Sequence, residues 1–256
     1  GRAYPNETAK GRERVTMMSQ RRACVTAILV GLLSTAGMAA AEGDEIRNQG
    51  WYAGIGAGLS IAPDPIDRSG AVTFGSNSFQ FRNVLSTDPG FVIDGAFGYK
   101  LRSGWRFDVE VGYRRNAFDR YDEVSTGSIF GGPGTVRSTP IDGSISSVSY
   151  MIDVWYDLQI AEHWMPYVGL GIGGVTTMTD IPSTVFLPLP DTHTDFGFQL
   201  GAGLGYAIDD KTVITLDYRY VESIDVEAIL TIFTDYVDYR THNVTLGIRR
   251  HFAFGG

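Results

Sequence analysis

The 256-residue sequence has a single cysteine, Cys24, and only four histidines. One cysteine near the N-terminus excludes a disulfide framework, a thiolate metal site and a cysteine nucleophile from the rest of the chain. His163, His193, His242 and His251 are scattered at spacings that match no metal signature, so no metal is expected. Basic residues are also scarce. The chain holds 21 Lys and Arg against 29 Asp and Glu; residues 1–41 contain six of the former and two of the latter, leaving 15 against 27 beyond them. That balance excludes nucleic acid as a partner, because phosphate binding needs a basic patch. The apolar stretch 24–39 spans about 16 residues, short of the roughly 20 that a transmembrane helix requires.

That stretch has the pattern of a secretory signal instead. Met17 or Met18 is followed by Arg21 and Arg22, then by the apolar run, then by Ala39, Ala40 and Ala41 as a small-residue cleavage site. Glu42 would begin the mature chain, and Cys24 would leave with the signal. Two parts are therefore expected: 1–41, an upstream extension and cleaved signal, and 42–256, one domain.

What the chain has in quantity is glycine, 32 residues, most of them inside segments that alternate apolar and polar. Eight such segments can be read at 50–60, 91–101, 104–115, 146–158, 164–176, 195–207, 211–222 and 239–252. Most have the length a tilted strand needs to cross a bilayer. The connections between them alternate as well. Short ones (L-R-S-G, Q-I-A-E-H, I-D-D) interleave with long ones at 61–90, 116–145, 177–194 and 223–238. Short turns on one rim and long loops on the other are the pattern of an even-stranded membrane barrel.

The faces agree with that reading. In 104–115, Trp105, Phe107, Val109, Val111 and Tyr113 share one side, and Arg106, Asp108, Glu110, Gly112 and Arg114 the other. Phe91, Ile93, Phe97, Tyr99 and Leu101 oppose Asp94, Ala96, Gly98 and Lys100. Val148, Tyr150, Ile152, Val154, Tyr156 and Leu158 oppose Ser149, Asp153 and Asp157. Ile214, Leu216, Tyr218 and Tyr220 oppose Thr215, Asp217 and Arg219. In the last segment Val244, Leu246, Ile248 and Phe252 oppose Asn243, Thr245, Gly247, Arg249 and His251. Gly54, Gly56, Gly58, Gly169, Gly171, Gly173, Gly197, Gly201, Gly203 and Gly205 fill the second face elsewhere. One face is continuous and apolar; the other is charged or nearly without side chains. An eight-stranded barrel has an interior just wide enough to be filled by side chains, so the charged face is expected inside with glycine supplying space. The expected fold is all-β, an eight-stranded antiparallel up-and-down transmembrane barrel. Aromatics near the segment ends, among them Trp51, Tyr52, Trp105, Trp164, Tyr167, Tyr206, Tyr239 and Phe252, are expected to form two interfacial girdles.

The inward charges are the one chemical constellation. Arg106, Arg114, Arg219 and Arg249 are expected to pair with Asp94, Asp108, Glu110, Asp153, Asp157 and Asp217, because buried charges persist only when paired. Asp108 and Glu110 lie about 7 Å apart on one strand face, but arginines interleave with them and no room is left for a substrate. No catalytic residue, cofactor or enzyme activity is expected.

The segments W-Y-A-G-I-G-A-G (51–58), P-Y-V-G-L-G-I-G-G (166–174) and L-G-A-G-L-G-Y (200–206), with the terminal V-T-L-G-I-R-R-H-F (244–252), resemble the small OmpA-like outer-membrane barrels of Gram-negative proteobacteria. Within that group they are most similar to the opacity-protein/surface-antigen type. The resemblance covers about 50–252. It implies an outer-membrane location, a role in envelope integrity with surface display or adhesion through four long loops, and, as a second possibility, a small porin. A lipid A-modifying barrel would need a Ser/His pair at the lipid face, and no His-x-Ser occurs. The implied partners are outer-membrane lipids and lipopolysaccharide, the barrel-assembly machinery and periplasmic chaperones, and host surface molecules. Phe252 is the candidate assembly signal, with Ala253, Phe254, Gly255 and Gly256 running on past it; no peptidoglycan-binding domain of the OmpA type follows. Spin labels at 107, 109 and 111 should therefore meet lipid-dissolved oxygen. Relaxation by aqueous reagents at these three sites would reverse the assignment of the faces.

Overall fold

The computed structural model describes residues 49–63, 66–74, 77–126, 134–158, 160–180, 192–224 and 239–252. They belong to one compact unit, Ile46–Gly256. The described residues form eleven strands: β1 (Gly50–Ile61), β2 (Ile66–Phe74), β3 (Asn77–Thr87), β4 (Gly90–Lys100), β5 (Trp105–Thr126), β6 (Val136–Pro140), β7 (Ser144–Asp157), β8 (Trp164–Asp180), β9 (Thr192–Ala207), β10 (Thr212–Ile224) and β11 (Arg240–Phe252).

Eight of them close a ring in the order β1, β4, β5, β7, β8, β9, β10, β11 and back to β1, with every neighbour antiparallel. These eight are the segments expected from the sequence. Closure leaves no unpaired edge, which a lipid environment demands. The register fixes the stagger. From Gly56 the pairing leads through Asp94, Gly112, Ser149 and Val175 to Asp195 on β9. In the other direction it leads through Gly247 and Thr215 to Gly205. The two ends lie ten residues apart on one strand. A slip of about 33 Å over a circumference of about 38 Å tilts the strands by about 40°.

Burial alternates with the period of the sequence. Ile55, Leu59, Ile152 and Leu246 on the outer surface are each more than 60% exposed, as a lipid-facing belt requires. Asp94, Asp108, Glu110, Asp153 and Asp157 on the opposite parity are buried. Rings at the belt's edge meet in pairs: Trp51 stacks on Phe97, and Trp105 meets Tyr156 and Trp164 meets Tyr206 at an angle near the short turns, as Phe91 meets Tyr113 near the long loops. The girdle assignment is corrected at three positions. Tyr52, Tyr167 and Tyr239 are buried inside the ring. Tyr52 shares its parity with Gly54 and Gly56, and Tyr167 with Gly169, so strand period outranks nearness to a strand end. His193, expected in a loop, lies in β9 with Nε2 2.7 Å from Asp195.

Aromatic bulk inside the ring fits because glycine stands opposite. A Cβ at Gly201 would lie 2.7 Å from Trp155 Cζ3; one at Gly169 would meet the same indole, and one at Gly203 the Tyr167 ring. The tight β4–β5 turn uses Gly104 at φ 88°, with Gly104 N donating to Leu101 O at 3.2 Å. In the β9–β10 turn the Asp209 carboxylate accepts from the Lys211 and Thr212 amides at 2.7 Å, and the Lys211 amide bond holds its pKa below the usual range.

Two of the expected long loops contain strand. β2 and β3 form a hairpin that pairs with the distal half of β5, and β6 pairs with Arg120–Val124 on the other side of β5. β5 therefore has 22 residues, about twice what a bilayer crossing needs, and the four-stranded sheet β2–β3–β5–β6 stands beyond the ring. The expected third and fourth loops lie largely in 181–191 and 225–238, outside the described residues. Replacing Gly201 with alanine should cost about 1–3 kcal/mol in urea unfolding of the refolded barrel. Replacing outward-facing Gly95, where a Cβ meets nothing closer than 3.8 Å, should change stability by less than about 0.5 kcal/mol.

Candidate functional site

The inward residues of β4, β5, β7, β8, β10 and β11 build two complementary centres. In the first, one cation sits among three acids. Arg219 Nη1 donates to Glu110 Oε2 at 2.5 Å and lies 3.2 Å from Asp94 Oδ1, while its Nη2 lies 3.7 Å from Asp217 Oδ1. In the second, one acid sits among three cations. Asp157 accepts from Arg106 Nε at 2.8 Å, its Oδ2 pairs with Lys100 Nζ at 2.8 Å, and Arg249 Nη2 lies 3.9 Å away. The strand period makes this possible, since β5 presents Arg106, Asp108 and Glu110 in a row on its inner face.

Aromatic rings separate the guanidinium groups. Trp155 receives Arg106 and Arg219, each 5.5 Å from its centroid. Tyr52 and Tyr167 lie between Arg106 and Arg249 at 5.0–5.7 Å. A ring face attracts a cation and holds like charges apart without water. Tyr167 ties the two centres together, donating to Asp217 at 2.6 Å; Tyr52 donates to Asp108, and Arg106 Nη1 donates to the Tyr52 hydroxyl at 3.1 Å.

Eight of the ten expected charges thus lie in or against these centres: Asp94, Glu110, Asp217 and Arg219 in the first, Arg106, Asp157 and Arg249 in the second, with Asp108 beside Arg106 at 3.7 Å. Two do not pair as expected. Among the described residues Arg114 has no carboxylate within 4 Å and donates to Ser149 Oγ at 2.8 Å; Asp153 accepts from Gln199 Nε2 at 2.5 Å. Both sit where neutral polar residues dominate the interior, with Ser147, Ser149, Gln199 and Asn243 buried nearby in sequence or register. The network also takes in Lys100, on the face already expected inward, and Tyr52, Trp155, Tyr167 and Gln199, which alternate in step with residues expected inward. Phe252 ends β11 opposite Trp51 in register, its ring 6.1 Å from Phe97.

A cavity of about 40 Å³ lies among Asp94, Asp108, Arg106, Arg219, Arg249 and Thr215. It has room for about three water molecules, beside Asp94 Oδ2 and Asp108 Oδ1, which have no protein hydrogen-bond partner. Apolar groups cluster toward both ends of the interior. Met165, Ala207 and Val213 cluster next to the short turns. Leu85, Phe118, Ile141, Ile145, Met151, Val175, Val221 and Tyr239 cluster toward the long loops, where Tyr239 also shares a hydrogen bond of 2.7 Å with Ser147.

A closed ring with an apolar exterior and a paired ionic interior defines a transmembrane β-barrel. The family model for the outer membrane protein beta-barrel domain matches residues 26–252, and the chain belongs to that family. It is a protein of the Gram-negative outer membrane. Among solved structures it is similar to Neisserial surface protein A at 18% identity, covering 79% of this chain and 97% of that one, with a TM-score of 0.47. OprG from Pseudomonas aeruginosa matches at 14% identity, 82% and 100% coverage and a TM-score of 0.48. Ail, the attachment invasion locus protein of Yersinia pestis, matches at 16% identity, 79% and 99% coverage and a TM-score of 0.38. No curated protein matches the chain.

Arg219→Met would leave three buried carboxylates without their cation and should cost about 3–5 kcal/mol. Arg114→Met removes a charge held by one serine and should cost about 1 kcal/mol. Unfolding in urea, followed by tryptophan fluorescence, measures both; equal losses would show that the centre around Arg219 has no special weight.

Proposed function

We propose that the protein is a non-conducting, non-enzymatic structural barrel that supports the outer membrane and displays its long-loop face at the cell surface. The observation that carries this reading is the apolar cluster toward each end of the interior, with paired charges between them. An ion would have to cross the apolar cluster around Ile145, Met151, Val175 and Val221, then the paired charges, then Met165, Ala207 and Val213. The cavity among those charges is small, about 40 Å³. Displacing an apolar plug and unpairing buried charges each costs several kcal/mol, so the small-porin reading finds no support in the interior.

Display is supported by the β2–β3–β5–β6 sheet, which continues β5 past the ring. Host surface molecules are the partners proposed for this sheet and the long loops. Outer-membrane lipids and lipopolysaccharide are those proposed for the belt. Phe252 is proposed as the residue read by the barrel-assembly machinery after delivery by periplasmic chaperones, and its place at the end of the closing strand β11 supports that role. The lipid-facing His242 has Tyr218, not serine, as its hydrogen-bond partner, which favours a non-enzymatic barrel over a lipid-modifying one.

Refolded protein in planar bilayers should give no single-channel steps at voltages where a general porin conducts. Reproducible steps whose size changes in Arg219→Gln, with the heat-modifiable mobility of a folded barrel retained, would replace the structural reading with the porin one.

A further inference from the structure

The outward positions carry no Asp, Glu, Lys or Arg through the body of the ring, for example at Val148–Leu158 on β7 or 244–248 on β11. Where the belt ends toward the long loops, β10 and β11 together place Tyr218, Tyr220, Glu222, Arg240 and His242 on that same outward parity. Tyr220 stands opposite His242 in register, and Glu222 opposite Arg240. None of these residues takes part in the ionic interior, and a structural barrel does not need them.

Their contacts leave specific groups free. The Tyr218 hydroxyl lies 2.8 Å from His242 Nδ1. With that hydroxyl donating, Nε2 carries the ring's hydrogen as an outward donor. Tyr220 donates to Glu222 Oε2 at 2.6 Å, so Glu222 keeps its second oxygen as an acceptor. Arg240 is exposed and forms no ion pair among the described residues. The rings of Phe198, Tyr220 and His242 adjoin one another at centroid distances of 6.1 and 5.2 Å, giving a short aromatic wall beside these groups. A cation against acyl chains is costly; at headgroup depth it meets anionic oxygen, and guanidinium matches phosphate with two parallel donors.

We propose that the β10–β11 rim is a docking site for the phosphorylated sugar headgroup of an outer-leaflet glycolipid. Arg240 and His242 Nε2 donate to the phosphate, Glu222 accepts from sugar hydroxyls, and the Phe198–Tyr220–His242 wall packs on a sugar face. The proposal deepens the lipid partnership above and rests on the membrane placement of the ring, not on whether the ring conducts. Bilayer recordings and lipid binding can therefore fail independently.

The test adds diphosphoryl lipid A, or the same glycolipid stripped of phosphate, to the refolded barrel in detergent and counts retained lipid by native mass spectrometry. The wild type should retain the phosphorylated form, and the Arg240→Gln/His242→Gln double variant should retain it at least about a hundredfold less well, as expected for two lost charge-assisted bonds. Arg115→Gln, on the outward face of β5 across the ring, should behave as wild type. Heat-modifiable mobility establishes that each variant is folded. If the double variant does not fold, the wild-type imidazole nitrogen resonances of His242 serve instead, and they should shift with the phosphorylated lipid alone. Equal retention by wild type and double variant, equal retention of the stripped lipid, unmoved His242 resonances, or displacement by millimolar inorganic phosphate would each overturn the proposal.

Discussion

An eight-stranded ring has too little interior to hold bulk water, so each charge turned inward must find a protein partner and each inward ring must find a vacancy. Most of the sequence between residues 50 and 252 can be understood as a solution to that constraint. Arg219 among Asp94, Glu110 and Asp217, and Asp157 among Lys100, Arg106 and Arg249, are mirror arrangements. Each spreads a surplus of one sign around a single opposite charge, and Tyr167, packed against Arg106 and Arg249 and bonded to Asp217, joins the two. Trp155 keeps Arg106 and Arg219 from facing each other directly. Glycines at 169, 201 and 203 vacate the volume those rings occupy.

The exterior follows from the same closure. Once every backbone amide is bonded around the ring, the outer face has only to be apolar to sit in acyl chains. The belt residues accordingly show no packing specificity beyond aromatic pairs near the rims. Information is concentrated elsewhere: in the interior, which fixes the shape, and in the sheet and loops beyond the ring, which face the surroundings.

The ring was legible because strand period, glycine placement and loop length all signalled it at once. The eight expected segments match the ring strands to within a few residues except where strands run on. β5 runs on to Thr126, but after Ala117 the alternation disappears: Asp119, Arg120, Asp122 and Glu123 occupy both parities. A strand with water on each side has no reason to sort its residues, so its sequence looks like a loop. Inside, Tyr52 and Tyr167 were mistaken for interfacial residues because aromatic type was given more weight than parity. The partners of Arg114 and Asp153 were not legible at all. Which carboxylate a given arginine reaches depends on the ten-residue stagger between distant strands, and that stagger is a property of closure rather than of any one segment.

β5 belongs to the ring through its pairs with β4 and β7 and to the outer sheet through its pairs with β3 and β6. A tug on the outer sheet is consequently delivered lengthwise along a strand whose lower half is bonded on both flanks. Those bonds lie across the pull and must shear together instead of unzipping one at a time. The chain is built as a mast stepped into a keel, able to bear mechanical load from whatever grips its tip.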